Sequence, residues 1–539
     1  MQQVTGTRLA AAPIRLDLRA LAQPAARLLA VLALLFVALT WDRHGLGVGE
    51  ADRQMFGRLL LDAYRSGFSE TAVGPLQAVP GGGLFDLAAA LVELVWHGNV
   101  WDLRHLLSGL AGLAGIFAAW QLARSLGGEV AALLAALILC LTGAWSGAMF
   151  THTREIPLAA ALAWALVFQT RLVAELPRPR AGTLLGLGAS GGMALGLGAA
   201  GWLLPVSLLI TLPVAIWRGG ARSPVALLGS LRPLLPAALL GGVIALLGRP
   251  TMLIGLLDGW LLDGDAGQVS AIVPTLVDGT LLLSSDVPRS YLHTYLVVKL
   301  PELMLVGLAL ALGGRPWRER RDASAAERRH RSRHAHPMHL PLVLAITLPM
   351  AYAWLFRPPL ADGLRGFLHL LPPMAVAAAL GWRMLWQTAR SRPVAAWSLA
   401  AVGGALAASH LVTLAHLYPY GHAYYNSLVA GLRGAAQGWV LDYDATSVRE
   451  GAEYLNRWAD SQAPASAAPI SVAVCGDPVQ ARAWLSAQFV VVPRARQAAF
   501  VIAGSQPGCP RESGGIPVHA VVRQGVVLGQ VIDRRQPPG

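Results

Sequence analysis

The sequence predicts a polytopic α-helical membrane protein with about eleven transmembrane helices and a small C-terminal α/β domain outside the membrane. Three observations predict it. Hydrophobic residues make up 55% of the chain against 14% charged, with a mean hydropathy of +0.50, and that much apolar surface has no place in a water-facing globule, so lipid is the solvent. Apolar runs suited to a helical crossing of roughly 20 residues recur at 103–123, 129–150, 155–174, 233–248, 338–356, 366–386 and 395–416. No alternation of short strands competes with them, so helices rather than a barrel span the bilayer. After residue 416 the long apolar runs stop and short β-like stretches appear at 470–474, 489–492, 499–502 and 518–522, with a helical stretch at 446–459. Strands alternating with a helix suit a small α/β domain, which divides the chain into a membrane domain at 1–419 and a domain at 420–539.

Topology follows from the arginines. Arg8, Arg15, Arg19 and Arg27 precede the first apolar stretch, which reads as an uncleaved first helix with its N-terminus in the cytoplasm. Residues 42–100 then form an outside segment in which the apolar stretch 84–96 lies along the interface. Counting forward, the turns at 178–180, at Arg218 and Arg222, and at Arg383 and Arg390 all fall inside. The densest cluster, eight arginines within 315–336, falls inside as well. A multi-pass protein of the bacterial cytoplasmic (inner) membrane results, with the C-terminal domain periplasmic or extracellular. The net charge of +13 therefore reports topology, and no aromatic platform or folded basic motif points to nucleic acid.

Of three cysteines, Cys140 sits in an apolar helix and packs as a small core residue. Cys475 and Cys509 both fall in the domain placed in an oxidising compartment, where a disulfide is compatible with them. No metal spacing, P-loop, nucleophile elbow or dinucleotide fingerprint is present. The glycines of 186–201 suit close helix packing.

Charges at a membrane edge are expensive, so function is sought where acids and bases interrupt the apolar pattern. Glu50 and Asp52 follow the first span. His152, Arg154 and Glu155 occupy the tip between the third and fourth spans, and Asp362 and Arg365 the tip between the ninth and tenth. Parity places all three at one membrane face, where carboxylates can deprotonate an acceptor or hold a metal and arginines can bind phosphate. Plainer roles exist for each: Glu155 ahead of Ile-Pro suits a helix N-terminus, and Asp-Gly suits a tight turn. Arg289, Tyr291 and Lys299 fit either a headgroup site or interfacial anchoring.

Taken in order, these motifs resemble the GT-C superfamily of membrane glycosyltransferases, and more closely its family 39 type, related to protein O-mannosyltransferases and the lipid A aminoarabinose transferase. The resemblance lies in Gly-Gly-Leu-Phe-Asp-Leu-Ala-Ala-Ala at 82–90 and Leu-Arg-His-Leu-Leu at 103–107, then in Phe-Thr-His-Thr-Arg-Glu-Ile-Pro at 150–157. It continues in the segment 286–302, Asp-Gly-Leu-Arg at 362–365, the stretch 424–435 and Leu-Asp-Tyr at 441–443. Two departures stand out: Gly49 occupies the place of an aspartate expected before Glu50, and Gly366 that of a histidine.

The resemblance implies transfer of a hexosyl or pentosyl group, with inversion, from a polyprenyl-phosphate donor to an acceptor at the outer face. Protein, lipid and glycan acceptors all stay open. Glu50, helped by Asp52, would activate the acceptor, and Glu155 would position it or hold a divalent cation together with Glu50. Arg154 and Arg365 would stabilise the lipid phosphate, with His152, Asp362, Arg289 and Tyr291 as further substrate-binding candidates. Two readings from other classes stay open at this stage: a transporter or flippase, and a catalytically inactive GT-C-like scaffold.

Overall fold

The computed structural model describes residues 18–69, 76, 81–218, 229, 231–250, 272–313, 337–462, 469–506, 509 and 514–535. The arginine cluster at 315–336, together with Arg8, Arg15 and Arg222, lies outside the described residues.

The described chain is mostly helical. Six helices are long and apolar enough to cross a membrane, or seven if the bent pair Tyr291–Lys299 and Glu302–Gly313 is one span, and three shorter apolar helices accompany them. The expected crossings map onto these segments in order. Helix Val100–Cys140, 41 residues long, covers two of them, because it breaks at Gly128 with φ 77°, a conformation open to glycine and costly for other residues. Its two halves correspond to the apolar runs at 103–123 and 129–150.

Burial sorts the helices by depth. Glu155–Glu175 is 78% buried over its apolar window and is the central post, whereas the first span and Pro393–Leu417 are each only 6% buried. Those two leave their leucines, valines and alanines for lipid, which accounts for exposed Leu28, Leu39 and Val402.

Close helix packing rests on glycine, as expected for 186–201. Helix Ala181–Leu197 lies against Leu235–Gly248 so closely that a Cβ at Gly188 would come within 2.5 Å of the Ala237 carbonyl oxygen, and one at Gly192 within 2.5 Å of the Gly241 carbonyl oxygen. With no hydrophobic drive between helices in lipid, such backbone approach supplies the van der Waals contact that associates them.

The loop tips meet at one end of the helical body. His44 stacks on Phe150 at 4.1 Å between ring centroids, Arg365 donates to the Val48 carbonyl, and His152 contacts Tyr443. The short helix Leu84–Glu93, expected along the interface, packs on Glu50–Arg65 at this end, where Gly83 touches Phe56 and Leu60. A hairpin of β1 (Pro274–Val277) and β2 (Thr280–Leu283) belongs to the long segment before Tyr291 and was not expected from sequence.

The C-terminal sheet has five strands: β3 (Ile470–Val474), β4 (Phe489–Val491), β5 (Phe500–Gly504), β6 (Ile516–Arg523) and β7 (Val526–Asp533), in the order β4-β3-β5-β7-β6. Strands β4, β3 and β5 run parallel, and β7 returns antiparallel to both β5 and β6. Helix Val448–Asp460 covers one face through Val448, Ala452, Leu455 and Ala459. Cys475 and Cys509 form a disulfide, and Cys140 is free. Residues 420–441 pack into the helical core through Tyr420, Tyr424, Tyr425 and Trp439, while the core of the sheet unit begins at Ala445. The segment between them, 442–444, thus joins the two bodies.

Replacing Gly192 by Leu should overpack the helix contact by about 1–3 kcal/mol and lower the thermal midpoint in detergent. Gly242, whose Cβ would meet nothing within 4 Å, should accept Leu without that loss. Equal midpoints for the two variants would refute the packing account.

Candidate functional site

The first span ends in a turn, Gly-Val-Gly at 47–49, from which helix Glu50–Arg65 starts. Gly49 is the residue before the helix, with φ 76°, and a Cβ on it would meet nothing within 4 Å. The position where an aspartate was expected is therefore open space beside Glu50. Gly366 has open space about it too.

Glu50 itself is 3% exposed. Its Oε2 accepts the Gly47 N–H at 3.2 Å and lies 3.3 Å from His105 Nε2. Its Oε1, 3.8 Å from Arg104 Nε, is buried without a hydrogen-bond partner. Arg104, fully buried, donates to Asp86 Oδ1 at 2.6 Å, and Asp86 also pairs with Arg53. A buried carboxylate with one oxygen unsatisfied is costly for stability alone.

Arg365 forms a second cluster. It lies 2.8 Å from Asp444 Oδ1, 3.4 Å from Glu155 Oε1 and 3.6 Å from Asp362 Oδ2, and it donates to the Val48 carbonyl at 3.3 Å. Burial pushes the Asp444 carboxyl up to about 6, against the pull of Arg365 and His422, and raises Asp362 likewise. His152 belongs to this cluster. Its Nε2 faces Tyr443 Oη at 2.8 Å and Asp444 Oδ2 at 3.3 Å, and its Nδ1 lies 3.0 Å from Thr151 Oγ1. Burial, then Arg365, holds the imidazole down at about 3, against Glu155 and Glu50. The ring is therefore neutral at pH 7. Beneath it, burial pushes the Asp442 carboxyl up, but hydrogen bonds from His422 and Ser447 more than reverse this and hold it below the usual carboxylate range.

Glu50, His152, Arg154, Glu155, Asp362 and Arg365 are thus brought to one end of the molecule. Asp52 is not: it is exposed, two positions on from Glu50 and so on another face of the helix. Arg289 is exposed and stacks over Trp354 at 5.2 Å, away from the clusters. Tyr291 is buried beneath them, its hydroxyl accepting the Gly363 N–H at 3.0 Å, so it supports the turn that carries Asp362. Lys299 is buried, donating to the His422 carbonyl at 2.9 Å.

Three carboxylates surround Arg365 and match its charge. Arg154 is differently situated: its charge lies within electrostatic reach of Arg53 and Arg249 as well as of Glu155 and Asp86. Three arginines, Arg53, Arg154 and Arg249, thus lie near one another at this end, with Arg53 paired to Asp86. Among the described residues, no three His, Cys, Asp or Glu side chains are grouped to hold a metal. Glu50 and Glu155 each face a guanidinium.

Sequence reasoning missed the roles of Arg53, Asp86, Arg104, His105 and Asp444. The signal for two of them was present, since Arg104 and His105 interrupt an apolar run, where a charge is costly. Asp444 follows the Leu-Asp-Tyr motif by one residue, but its partner, Arg365, is 79 positions away.

The family model described as dolichyl-phosphate-mannose-protein mannosyltransferase matches residues 84–244. Among solved structures, apo ArnT from Cupriavidus metallidurans is 16% identical, with 95% of this chain and 98% of that one covered and a TM-score of 0.46. The undecaprenyl-phosphate-bound form of ArnT has the same identity and coverage with a TM-score of 0.44. The Archaeoglobus fulgidus oligosaccharyltransferase is 14% identical, covering 89% of this chain and 65% of that one, with a TM-score of 0.46. All three are distant likenesses, and no curated protein matches the chain significantly.

The raised pKa of Asp444 makes stability depend on pH. A carboxyl that holds its proton more tightly when folded contributes stability below its ordinary value, lost as pH rises through about 6. Asp444→Asn, neutral throughout, should gain on wild type by about 1–3 kcal/mol between about pH 4.5 and 7.5, read by thermal unfolding in detergent. A difference moving towards wild type over that range would contradict the assignment. The segment 84–244, which supplies Asp86, Arg104, His105, His152, Arg154 and Glu155, is similar to the family described as dolichyl-phosphate-mannose-protein mannosyltransferase, in keeping with the resemblance read in the motifs.

Proposed function

We propose that the protein transfers a sugar from a polyprenyl-phosphate donor to an acceptor at the outer face of the bacterial inner membrane, with its N-terminus in the cytoplasm. The observation that carries this reading is the meeting, at one end of the helices, of Glu50, a buried carboxylate whose Oε1 makes no hydrogen bond among the described residues, and the Arg154 guanidinium, which lies near Arg53. The family match over 84–244 supports it, and the undecaprenyl phosphate bound by one ArnT structure agrees with the class of donor.

In this reading Glu50 takes the proton of the acceptor hydroxyl or amine. The acceptor atom bonds to the anomeric carbon as the bond from that carbon to the phosphate oxygen breaks, and a single displacement of this kind inverts the configuration. Negative charge grows on the departing lipid phosphate, where Arg154 with Arg53 lies ready to stabilise it. Such preorganised donors act most strongly in a site removed from water. His105 and the Gly47 N–H hold Glu50 by its other oxygen, leaving Oε1 for the acceptor. Arg365, fastened by Asp444 and Glu155, keeps the loop that carries Glu50 in place through the Val48 carbonyl.

Purified protein in lipid, given labelled polyprenyl-phosphate sugars and membrane extract, should pass label to an acceptor. Glu50→Gln should lower the rate by about 10²- to 10⁴-fold, as loss of a general base does, and Glu155→Gln should lower it too. Asp52→Asn should stay near wild type. Wild-type rates in Glu50→Gln would remove Glu50 from the mechanism. Donor binding with no transfer from any donor would favour an inactive scaffold, a reading that the glycine at position 49 supports.

A further inference from the structure

Residues 442–444 carry three buried side chains with separate tasks: Asp442 bonds to His422, Tyr443 to His152 and Asp444 to Arg365. An irregular segment buried to this degree must find partners for its backbone groups, and here they come from the C-terminal unit. The Asp442 N–H donates to Ser505 Oγ at 3.3 Å, Gln506 Nε2 donates to the Tyr443 carbonyl at 3.0 Å, and Gln480 Nε2 donates to the Asp444 carbonyl at 2.7 Å.

Gln480 does more than close that account. It is fully buried on the short helix Pro478–Arg482, and its amide also donates to the Leu46 carbonyl at 2.6 Å. Leu46 begins the turn whose Gly47 N–H holds Glu50. One side-chain amide therefore spans from the loop that launches Glu50 to the residue that fastens Arg365. A primary amide has two N–H groups, and both are used on backbone carbonyls 398 positions apart in sequence, as 444 less 46. The Cys475–Cys509 disulfide joins the two loops that supply these donors. Cys475 directly follows β3, ahead of Gln480, and the Cys509 N–H donates to the Gln506 carbonyl at 3.2 Å.

We propose that the C-terminal unit is a clamp on the reaction face, in which Gln480 is a positioning residue that sets the Glu50 turn against Asp444 and the disulfide staples the loops that hold 442–444. The role assigned to the clamp in turnover rests on the transferase reading given above. The clamp itself is a statement about local order and is tested separately.

The experiment compares full-length wild type with Gln480→Met in lipid, measuring transfer kinetics and backbone hydrogen exchange on the same preparations. Met matches the length of Gln but donates no hydrogen bond. Exchange should quicken in segments 44–50 and 440–448 and stay unchanged in the membrane helices. The kcat should fall by about 10- to 100-fold, the cost of misplacing reacting groups by roughly an ångström, with the donor KM within about twofold because Arg154 belongs to another element, at the head of helix Glu155–Glu175. A purely structural loss would instead lower the yield of folded protein and leave kcat per active molecule unchanged.

Reduction of the disulfide, or the Cys475→Ser and Cys509→Ser pair, should quicken exchange in 440–448 as well. Unchanged exchange in Gln480→Met would overturn the clamp whatever the kinetics, and quickened exchange with wild-type kcat would overturn the positioning role. Failure of wild type to transfer from any donor would sink the transferase reading, while the exchange result would still decide the clamp. Where Gln480→Met does not fold, Gln506→Ala removes the bond to the Tyr443 carbonyl and carries the same test.

Discussion

Arg365 is the contact on which the rest of the reaction face depends. One guanidinium reaches Glu155 at the head of the central helix, Asp362 in its own turn, Asp444 in the segment after the last span and the Val48 carbonyl beside Glu50. Its planar fork suits several partners at fixed angles in a way that a lysine ammonium would not. Ion pairs removed from water seldom stabilise a fold by much, because desolvation offsets the attraction, but losing one partner leaves a buried charge uncompensated. The arrangement is therefore best understood as fixing geometry. Four segments remote in sequence are held to one register by it.

A division of labour between arginines follows. Arg365 is surrounded by carboxylates, whereas Arg154 lies near two other guanidinium groups, Arg53 and Arg249, and in the reading proposed above it is the one that meets the anion. Glu50 faces Arg104, and its charge is felt at His152. The buried neutral imidazole of His152 can sit among these charges without adding to them.

Much of the architecture was legible in the sequence, because lipid imposes a strong rule on span length and leaves apolar runs easy to see. The helix break at Gly128, the helix at 84–93 and four of the five C-terminal strands all fall where residue patterns place them, while the Cys475–Cys509 disulfide settles a pairing that the sequence left open. The site was legible by residue type but less so by role. Glu50 and Asp52 look alike in sequence, and only the turn of the helix separates a buried acid from an exposed one. Arg154 and Arg365 look equally fit for phosphate until their neighbours are counted. Asp444 and Gln480 gave little signal, since their partners lie in loops far away along the chain and each is an ordinary polar residue in a polar domain. The strand β7 was missed because its sequence, with Gly529 and Gln530 in the middle, breaks the apolar run that marks the others.

The central claim is that phosphate recognition and geometric order are carried by different arginines. The most direct measurement is equilibrium binding of a polyprenyl phosphate to wild type, Arg154→Gln and Arg365→Gln in the same lipid, with transfer rates measured alongside. The account predicts that Arg154→Gln loses affinity by about tenfold or more, as expected for a charged hydrogen bond to phosphate, whereas Arg365→Gln binds within about twofold of wild type and yet fails to turn over. Loss of binding in Arg365→Gln with binding kept in Arg154→Gln would contradict it.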